Sequence, residues 1–411
     1  MDPVLNPYTP NAGAQPPTVV GRDDLMTSFR ILLARLTAGR TSQSMIITGL
    51  RGVGKTVLLN NFRKEASASG WVVIEAEVTK HDDDAFRRNI AAWMRTALLE
   101  LSPRARWSER LHKAGAVLKS FSVSVDPSGG LTAGIDVDAW AGLADRGDLQ
   151  HDLTDLLVAV GEAAQERGRG VVLLFDEVQF MNQRQLEALI SALHKTVQRE
   201  LPITMVGAGL PQIAELAGDA KSYAERLFQF PAVENLGPPD ARRALEEPAA
   251  AEGASFHPSA LDLAVELTGG YPYFLQELGY AVWGLAEGPT ISVEDVQASE
   301  LVYQAKLDTS FFRVRLDRTT ELERVYLRAM AELGPDPQKA ADVAQVMGRD
   351  STQVAPIRAK LVSMGLLYTP RHGYAAFTVP HFDRFMHRAV PDLIVPEVKR
   401  RRRRGTTTPG V

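Results

Sequence analysis

Apolar positions recur along this chain with two different periods, and the alternation of those periods is its main structural signal. Met45-Ile46-Ile47, Trp71-Val72-Val73-Ile74, Val171-Val172-Leu173-Leu174-Phe175 and Ile203-Thr204-Met205-Val206 are short runs with almost no polar interruption. Runs of that kind predict strands buried on both faces of a parallel sheet. The segment Phe230 to Leu236 is expected to add the last strand. Between the runs the spacing becomes helical. Leu25, Phe29, Leu32, Leu33 and Leu36 share one face, as do Phe86, Ile90, Trp93, Ala97 and Leu101. Leu153, Leu156, Leu157 and Val160 precede the third run, and Leu186, Leu189, Ile190, Leu193 and Val197 follow it. Strands alternating with helices predict βαβ units, hence an α/β parallel sheet with helices on both faces.

Outside this core the pattern changes. Residues 1–20 are rich in Pro, Asn and Gly and read as an extended arm. Near 121–137, Phe121, Val123 and Val125 alternate with serines, and Leu131, Ala133, Ile135 and Val137 alternate again beyond Asp126-Pro127-Ser128-Gly129-Gly130. That pattern predicts a β-hairpin insertion. From Asp240 to Glu287 the spacing is helical, broken at Gly253, Gly269-Gly270 and Pro272. Farther on, Thr320-Glu321-Leu322-Glu323 is a capping box that opens a helix. A second, short helix follows it, and a third is expected to be capped by Ser351. Leu366-Leu367-Tyr368 and Ala375-Ala376-Phe377-Thr378-Val379 then flank a turn at His372-Gly373. Three helices and a two-stranded wing give the order of a winged helix. On the third helix, Gln353, Arg358 and Lys360 are expected to face outward, with Pro356 near its start. The boundaries that follow are an arm at 1–20, a core at 21–237, a helical lid and linker at 238–310, a winged helix at 311–390 and a basic tail at 391–411.

Composition narrows the chemistry. Among 411 residues there is no cysteine, which excludes disulfides, thiolate metal sites and thiol catalysis. The first residues lack the regions of a signal peptide, and no apolar stretch reaches membrane-spanning length. A cytoplasmic location without membrane contact is the resulting expectation. The net charge of −4 conceals an asymmetry. From Phe311 to Val411 there are 18 Lys/Arg against 10 Asp/Glu, leaving 28 against 40 elsewhere. Six of the basic residues form the run Lys399 to Arg404. A polyanionic partner would therefore meet the C-terminal part. The eight histidines are scattered without paired metal-ligand spacing.

Two segments carry the candidate chemistry. Gly49-Leu50-Arg51-Gly52-Val53-Gly54-Lys55-Thr56 matches G-x-x-x-x-G-K-[ST] between the first strand and a helix expected from about Thr56. Glycines let the backbone wrap a polyphosphate so that successive N–H groups point at its oxygens, and the helix start adds positive potential. Lys55 suits the β- and γ-phosphates, and the Thr56 hydroxyl suits Mg²⁺. Asp176 and Glu177 close the third apolar run. Ligands of open α/β sheets bind at the strands' carboxyl ends, which brings both acids to the phosphate loop. Asp176 is expected to hold hydrated Mg²⁺ and Glu177 to polarise the attacking water.

With these motifs the chain resembles the AAA+ P-loop ATPases, in the branch that holds the origin-recognition and STAND signalling ATPases. The resemblance spans roughly Gly21 to Arg388. It implies an ATP- and Mg²⁺-dependent hydrolase with a helical lid and a C-terminal winged helix. Gly21-Arg22 is similar to the short motif that lies by the adenine. Ala224-Glu225-Arg226-Leu227-Phe228 resembles the arginine-finger segment, which implies a homo-oligomer with Arg226 acting in trans. Gly270-Tyr271-Pro272 resembles the lid motif of the STAND proteins, which implies a nucleotide contact at Pro272. Where the family carries a polar water-orienting residue, this chain runs into Ala208-Gly209-Leu210-Pro211, and Thr204 stands too early in its strand. The lid has no evident phosphate-contacting arginine. Both departures favour a slow hydrolase acting as a switch.

Two functions fit. In one, the winged helix binds double-stranded DNA through Gln353, Arg358 and Lys360, while Arg400, Arg401 and Arg402 add phosphate contacts. In the other, the chain is a STAND-like signalling switch whose winged helix holds a protein partner.

Overall fold

Four of the apolar runs become strands of one parallel sheet in a computed structural model of the protein. The model describes residues 1–396 except 12, 81, 103–106, 124, 136, 140 and 141. In chain order the first elements are α1 (Asp23–Thr37), β1 (Ser44–Thr48), α2 (Lys55–Ala68), β2 (Val72–Glu77) and α3 (Asp83–Leu101). Next come α4 (Glu109–Val123), α5 (Leu149–Glu166), β3 (Val171–Asp176), α6 (Gln183–Gln198) and β4 (Ile203–Gly209). Helices α7 (Ile213–Ala220) and α8 (Ala224–Leu227) lead to β5 (Phe228–Gln229). The strand order is β2-β3-β4-β1-β5, and every pair is parallel. Strands β1 and β4 are buried along their whole length, and β3 is buried except at Asp176. That burial explains their uninterrupted apolar runs.

The last strand lies slightly upstream of the expected position. β5 pairs with Ser44 and Met45 through Phe228 and Gln229. Pro231 follows, and with no N–H it cannot continue a ladder of donors. The pairing resumes only as an isolated bridge between Thr48 and Ala232.

The hairpin expectation at 121–137 is overturned. Phe121 and Val123 end helix α4, and residues 130–132 form a 3-10 turn. No described residue of this segment is in a strand. The helical register of Leu111, Ala114, Val117, Leu118 and Phe121, all buried, outweighs the short two-residue alternation. A buried ion pair fixes the helix end: Arg87 of α3 donates to Asp152 of α5 at 2.8 Å and to the Phe121 carbonyl at 3.1 Å. Ile135 packs back onto α4 beside Gly115, where a Cβ would lie 3.0 Å from its side chain.

The chain divides into two compact units, Met1–Gln304 and Ala305–Val411. The first also contains helices α9 (Pro238–Ala251), α10 (Pro258–Thr268) and α11 (Pro272–Leu285). Each of the three begins with proline in its first turn, where the missing N–H costs nothing. A two-strand parallel pair joins β6 (Ser255–Phe256) to β7 (Thr290–Ile291), ahead of α12 (Val293–Lys306). The N-terminal arm is not a loose extension. Tyr8 is 1% exposed, its ring lying against Gly279 of α11 and its hydroxyl donating to the Leu245 carbonyl of α9 at 2.5 Å. Thr9 N–H donates to Gln276 Oε1 at 3.0 Å, and the Gln15 side-chain amide donates to Asn61 Oδ1 of α2 at 2.9 Å.

In the second unit, α13 (Arg313–Leu316) and α14 (Glu321–Glu332) precede β8 (Gln338–Lys339), α15 (Ala340–Val346) and α16 (Ser351–Ser363). Strands β9 (Leu367–Tyr368) and β10 (Tyr374–Phe377) and helix α17 (Phe382–Ala389) complete it. The Thr320 capping box opens α14 as expected. The small antiparallel sheet has the order β8-β10-β9, so the two wing strands gain a third ahead of α15. Three helices with this sheet form a winged helix. Phe312, Phe382 and Phe385 pack its core, with Phe312 and Phe385 stacked at 5.1 Å.

Candidate functional site

The glycine-rich loop, the end of β3 and the end of β4 meet at one edge of the sheet. Gly49 N–H donates to the Gly209 carbonyl at 3.1 Å, which ties the loop's entry to β4. A Cβ at Gly49 would fall 2.3 Å from the Val233 carbonyl oxygen, so the position admits no side chain. Gly52 and Gly54 have φ of +83° and +94°, the left-handed region that glycine enters without strain. Helix α2 starts at Lys55, one residue before the expected Thr56.

Lys55 is 7% exposed. Its Nζ donates to the Gly49 and Leu50 carbonyls at 2.9 and 2.8 Å, closing the loop upon itself. Burial lowers its pKa from 10.5 to about 8, opposed by the charges of Glu177 and Asp176. The ammonium is thus held in a dry position that a phosphate anion would favour electrostatically.

The acidic pair sits as the sequence implies. Thr56 Oγ1 donates to Asp176 Oδ2 at 2.5 Å, and Glu177 N–H donates to Asp176 Oδ1 at 2.8 Å. A hydroxyl and a carboxylate oxygen in contact at the N-terminus of α2 are the hard donors that Mg²⁺ takes, alongside water and phosphate oxygens. Glu177 has φ of +55°, uncommon for a residue with a side chain. Its Oε2 accepts from the Gln179 side-chain amide and lies 3.8 Å from Arg51 Nη2. Leu50 and Val53 contribute loop backbone, with Val53 itself buried.

Arg22 lies beside the loop, whereas Gly21 faces α9 and the segment before it, a Cβ there falling 2.7 Å from Asp240 Oδ2 and 3.1 Å from Leu236 Cδ2. Arg22 Nη2 donates to the Val53 carbonyl at 3.3 Å and to the Glu234 carbonyl at 2.6 Å, and burial pushes its pKa down. Pro272 is the first residue of α11. Its neighbours reach the loop. Tyr273 N–H donates to the Gly52 carbonyl at 3.2 Å, and a Cβ at Gly52 would lie 2.9 Å from Tyr271 Oη. Gly270, with φ of +68°, has no room for a Cβ against the Leu236 carbonyl oxygen 2.2 Å away.

Other candidates lie apart from this cluster. Arg226 is exposed on the short helix α8, and its side chain has no partner among the described residues. The adjacent Glu225 therefore does not hold it as half of a surface ion pair. On α16, Gln353 and Lys360 are exposed and Arg358 is half-buried. The helix is capped by Asp350 rather than by Ser351. Gln353 Oε1 accepts from Asp350 N–H at 3.0 Å, so part of that side chain serves the cap. The helix runs through Pro356 unbroken. Arg400, Arg401 and Arg402 lie outside the described residues.

Two features escape a reading of the sequence. Gln179 follows the acidic pair by two residues, a position no motif marks. Tyr8 belongs to a Pro- and Asn-rich stretch whose composition hides its packing. Thr204, by contrast, sits where its position suggested, buried and hydrogen-bonded to Ser44 Oγ at 3.0 Å.

Among the described residues no helix is long and apolar enough to cross a membrane. Residues 18–206 match the family model of the AAA ATPase domain, and residues 309–386 match that of a domain of unknown function. None of the curated proteins compared with the chain matches it. Among solved structures it is similar to the Walker-type ATPase of Pyrococcus abyssi, at 16% identity and TM-score 0.51, covering 90% of this chain and 96% of that one. It is also similar to Cdc6p of Pyrobaculum aerophilum, at 14% identity and TM-score 0.46, covering 95% and 98%. The Orc1 protein of Aeropyrum pernix, solved in complex with DNA, aligns at 16% identity and TM-score 0.44, covering 91% and 94%. The match to the AAA ATPase domain model spans both the loop and the acidic strand end described above.

Proposed function

We propose that this chain is a slow Mg²⁺-dependent ATPase whose nucleotide state drives a conformational or assembly switch, associated with DNA through its winged helix. The observation that carries the reading is the contact of Thr56 Oγ1 with Asp176 Oδ2 at 2.5 Å, beside a buried Lys55. Those two oxygens would hold Mg²⁺, which when bound neutralises charge on the β- and γ-phosphates. Backbone N–H groups from Gly49 to Lys55 cradle the triphosphate, and Lys55 leaves the loop carbonyls to pair with it. Glu177 takes a proton from the water that attacks the γ-phosphorus as the bond to the β-phosphate oxygen breaks. Arg226, exposed and without a partner among the described residues, is free to reach the nucleotide of a second copy of the chain.

Slow turnover is supported by the end of β4, where Ala208, Gly209 and Leu210 offer no polar side chain. The organisation we propose is an arm at 1–20, the ATPase core at 21–237, the lid and linker at 238–310, a winged helix at 311–390 and the tail at 391–411. DNA association rests on the winged-helix order, on exposed Lys360 and half-buried Arg358, and on the basic run Lys399 to Arg404. Retention of random duplex in a gel shift, at two salt concentrations with and without ATP, tests it. Retention that weakens with salt supports DNA association, and none at low salt refutes it.

A second reading, a STAND-like switch with a protein-binding winged helix, is favoured by the lid contact. Tyr273 N–H on the Gly52 carbonyl couples α11 to the phosphate loop, so a nucleotide that reshapes the loop would move the lid. Glu177→Gln separates hydrolysis from either output. The variant should retain ATP while losing turnover, and normal hydrolysis would remove Glu177 from the mechanism.

A further inference from the structure

The Gln179 side chain links the backbone just beyond β4 to the Glu177 carboxylate. Its Oε1 accepts from Leu210 N–H, just beyond β4, at 3.1 Å, and its Nε2 donates to Glu177 Oε2. The two ends of the amide cannot exchange, because the carbonyl must face an N–H and the amine must face a carboxylate. Gly209 makes the approach feasible, since a Cβ there would lie 2.9 Å from Gln179 Oε1 and 3.0 Å from Val178 Cγ2. Gly209 also accepts Gly49 N–H through its carbonyl. The end of β4 is thereby pinned to the loop on one side and to Gln179 on the other.

Glu177 needs such support. Its left-handed backbone costs about 1 kcal/mol or more and persists only when neighbours hold it. The Phe180 N–H on its carbonyl, at 3.0 Å, fixes the backbone. The carboxylate is fixed by Gln179, with Arg51 at 3.8 Å from the same oxygen. Glu177 Oε1 takes no hydrogen bond among the described residues, so that oxygen is left to accept from water.

We propose that Gln179 is a positioning residue for ATP hydrolysis: it transmits the place of the β4 end to Glu177 and presents one carboxylate oxygen to the attacking water. Because β4 closes with Ala208-Gly209 and Leu210 follows, the backbone N–H of Leu210 does through Gln179 what a polar side chain there would do directly. The inference rests on the ATPase reading and adds to it a residue outside the loop and the acidic pair.

Gln179→Met keeps the length of the side chain and removes both hydrogen bonds. Single-turnover hydrolysis of radiolabelled ATP with Mg²⁺, with a parallel fluorescent-nucleotide titration, compares it with wild type, Glu177→Gln and the double variant. Gln179→Met should slow hydrolysis by about tenfold or more, with nucleotide affinity within about twofold and an unchanged melting temperature. The double variant should be no slower than Glu177→Gln alone, since Gln179 acts only through that carboxylate. Rates unchanged in Gln179→Met, or losses that multiply in the double variant, overturn the inference. Equal loss of affinity and rate also overturns it, because a merely structural role produces that pattern. Wild type that neither binds nor cleaves ATP overturns the ATPase reading as well, whereas wild-type turnover untouched by Gln179→Met overturns this inference alone.

Discussion

Replacing Lys55 by methionine should stabilise the nucleotide-free protein while abolishing its response to ATP. The ammonium is 7% exposed, and burial holds its pKa at about 8 against an ordinary 10.5. At about 1.4 kcal/mol per tenfold change in proton affinity, keeping that charge costs about 3 kcal/mol at neutral pH relative to the unfolded chain. Methionine fills similar space without charge, but leaves the Gly49 and Leu50 carbonyls without their donor. The net gain should therefore be about 1–3 kcal/mol. All five tryptophans lie at or before Trp283, so their fluorescence during urea unfolding reports the first unit alone. Between pH 8 and 10.5 the unfolded chain keeps a proton on Lys55 that the folded chain has released. Raising the pH through that window therefore stabilises wild type and shrinks its deficit against Lys55→Met. Saturating Mg²⁺ and ATP at about 100 times Kd should add about 2.7 kcal/mol to wild type and nothing to the variant. A variant about 1 kcal/mol or more less stable than wild type would show that the buried charge carries no such cost. One that ATP still stabilises would show that Lys55 does not hold the phosphates.

Three further outcomes are expected. Tyr8→Ala removes a ring packed between α9 and α11 and should cost about 3–5 kcal/mol in urea unfolding of the first unit; a loss under about 1 kcal/mol would show that Tyr8 does not clamp α9 to α11. Arg226→Ala, on an exposed side chain, should leave melting temperature and ATP affinity unchanged while turnover stops rising with protein concentration, and a persisting rise excludes Arg226 in trans. Deleting Lys399 to Val411 should flatten the salt dependence of duplex retention, its slope falling by about 0.9 for each phosphate no longer neutralised; an identical slope would take the tail out of DNA association.

Much of the core was legible because its signals are local and mutually consistent. The buried runs at Ile46 and Leu173 have one interpretation in a parallel sheet, and the Gly49 to Thr56 spacing fixes a strand–loop–helix junction. The acidic pair was legible for a related reason, since a strand's carboxyl end is where an α/β sheet presents ligands. Where local signals competed, the weaker period misled. Phe121, Val123 and Val125 alternate like a strand, yet three residues of alternation could not displace a helical face that begins at Leu111. Pro231 shifted β5 upstream through a missing N–H, an effect visible only when pairing partners are known. Tyr8 and Gln179 were illegible because their importance is tertiary: one needs the gap at Gly279 and the other the gap at Gly209. A glycine in a sequence does not reveal which distant side chain fills the space above it.

The proposed nucleotide-driven switch requires that a triphosphate displace Lys55 from the loop carbonyls and that Mg²⁺ join Thr56 to Asp176. A crystal structure with Mg²⁺ and a non-hydrolysable ATP analogue measures this directly. The expected result has Lys55 Nζ on phosphate oxygens, away from the Gly49 and Leu50 carbonyls, with the metal touching Thr56 Oγ1. A saturated crystal in which Lys55 still closes the loop and the analogue lies elsewhere would rule it out.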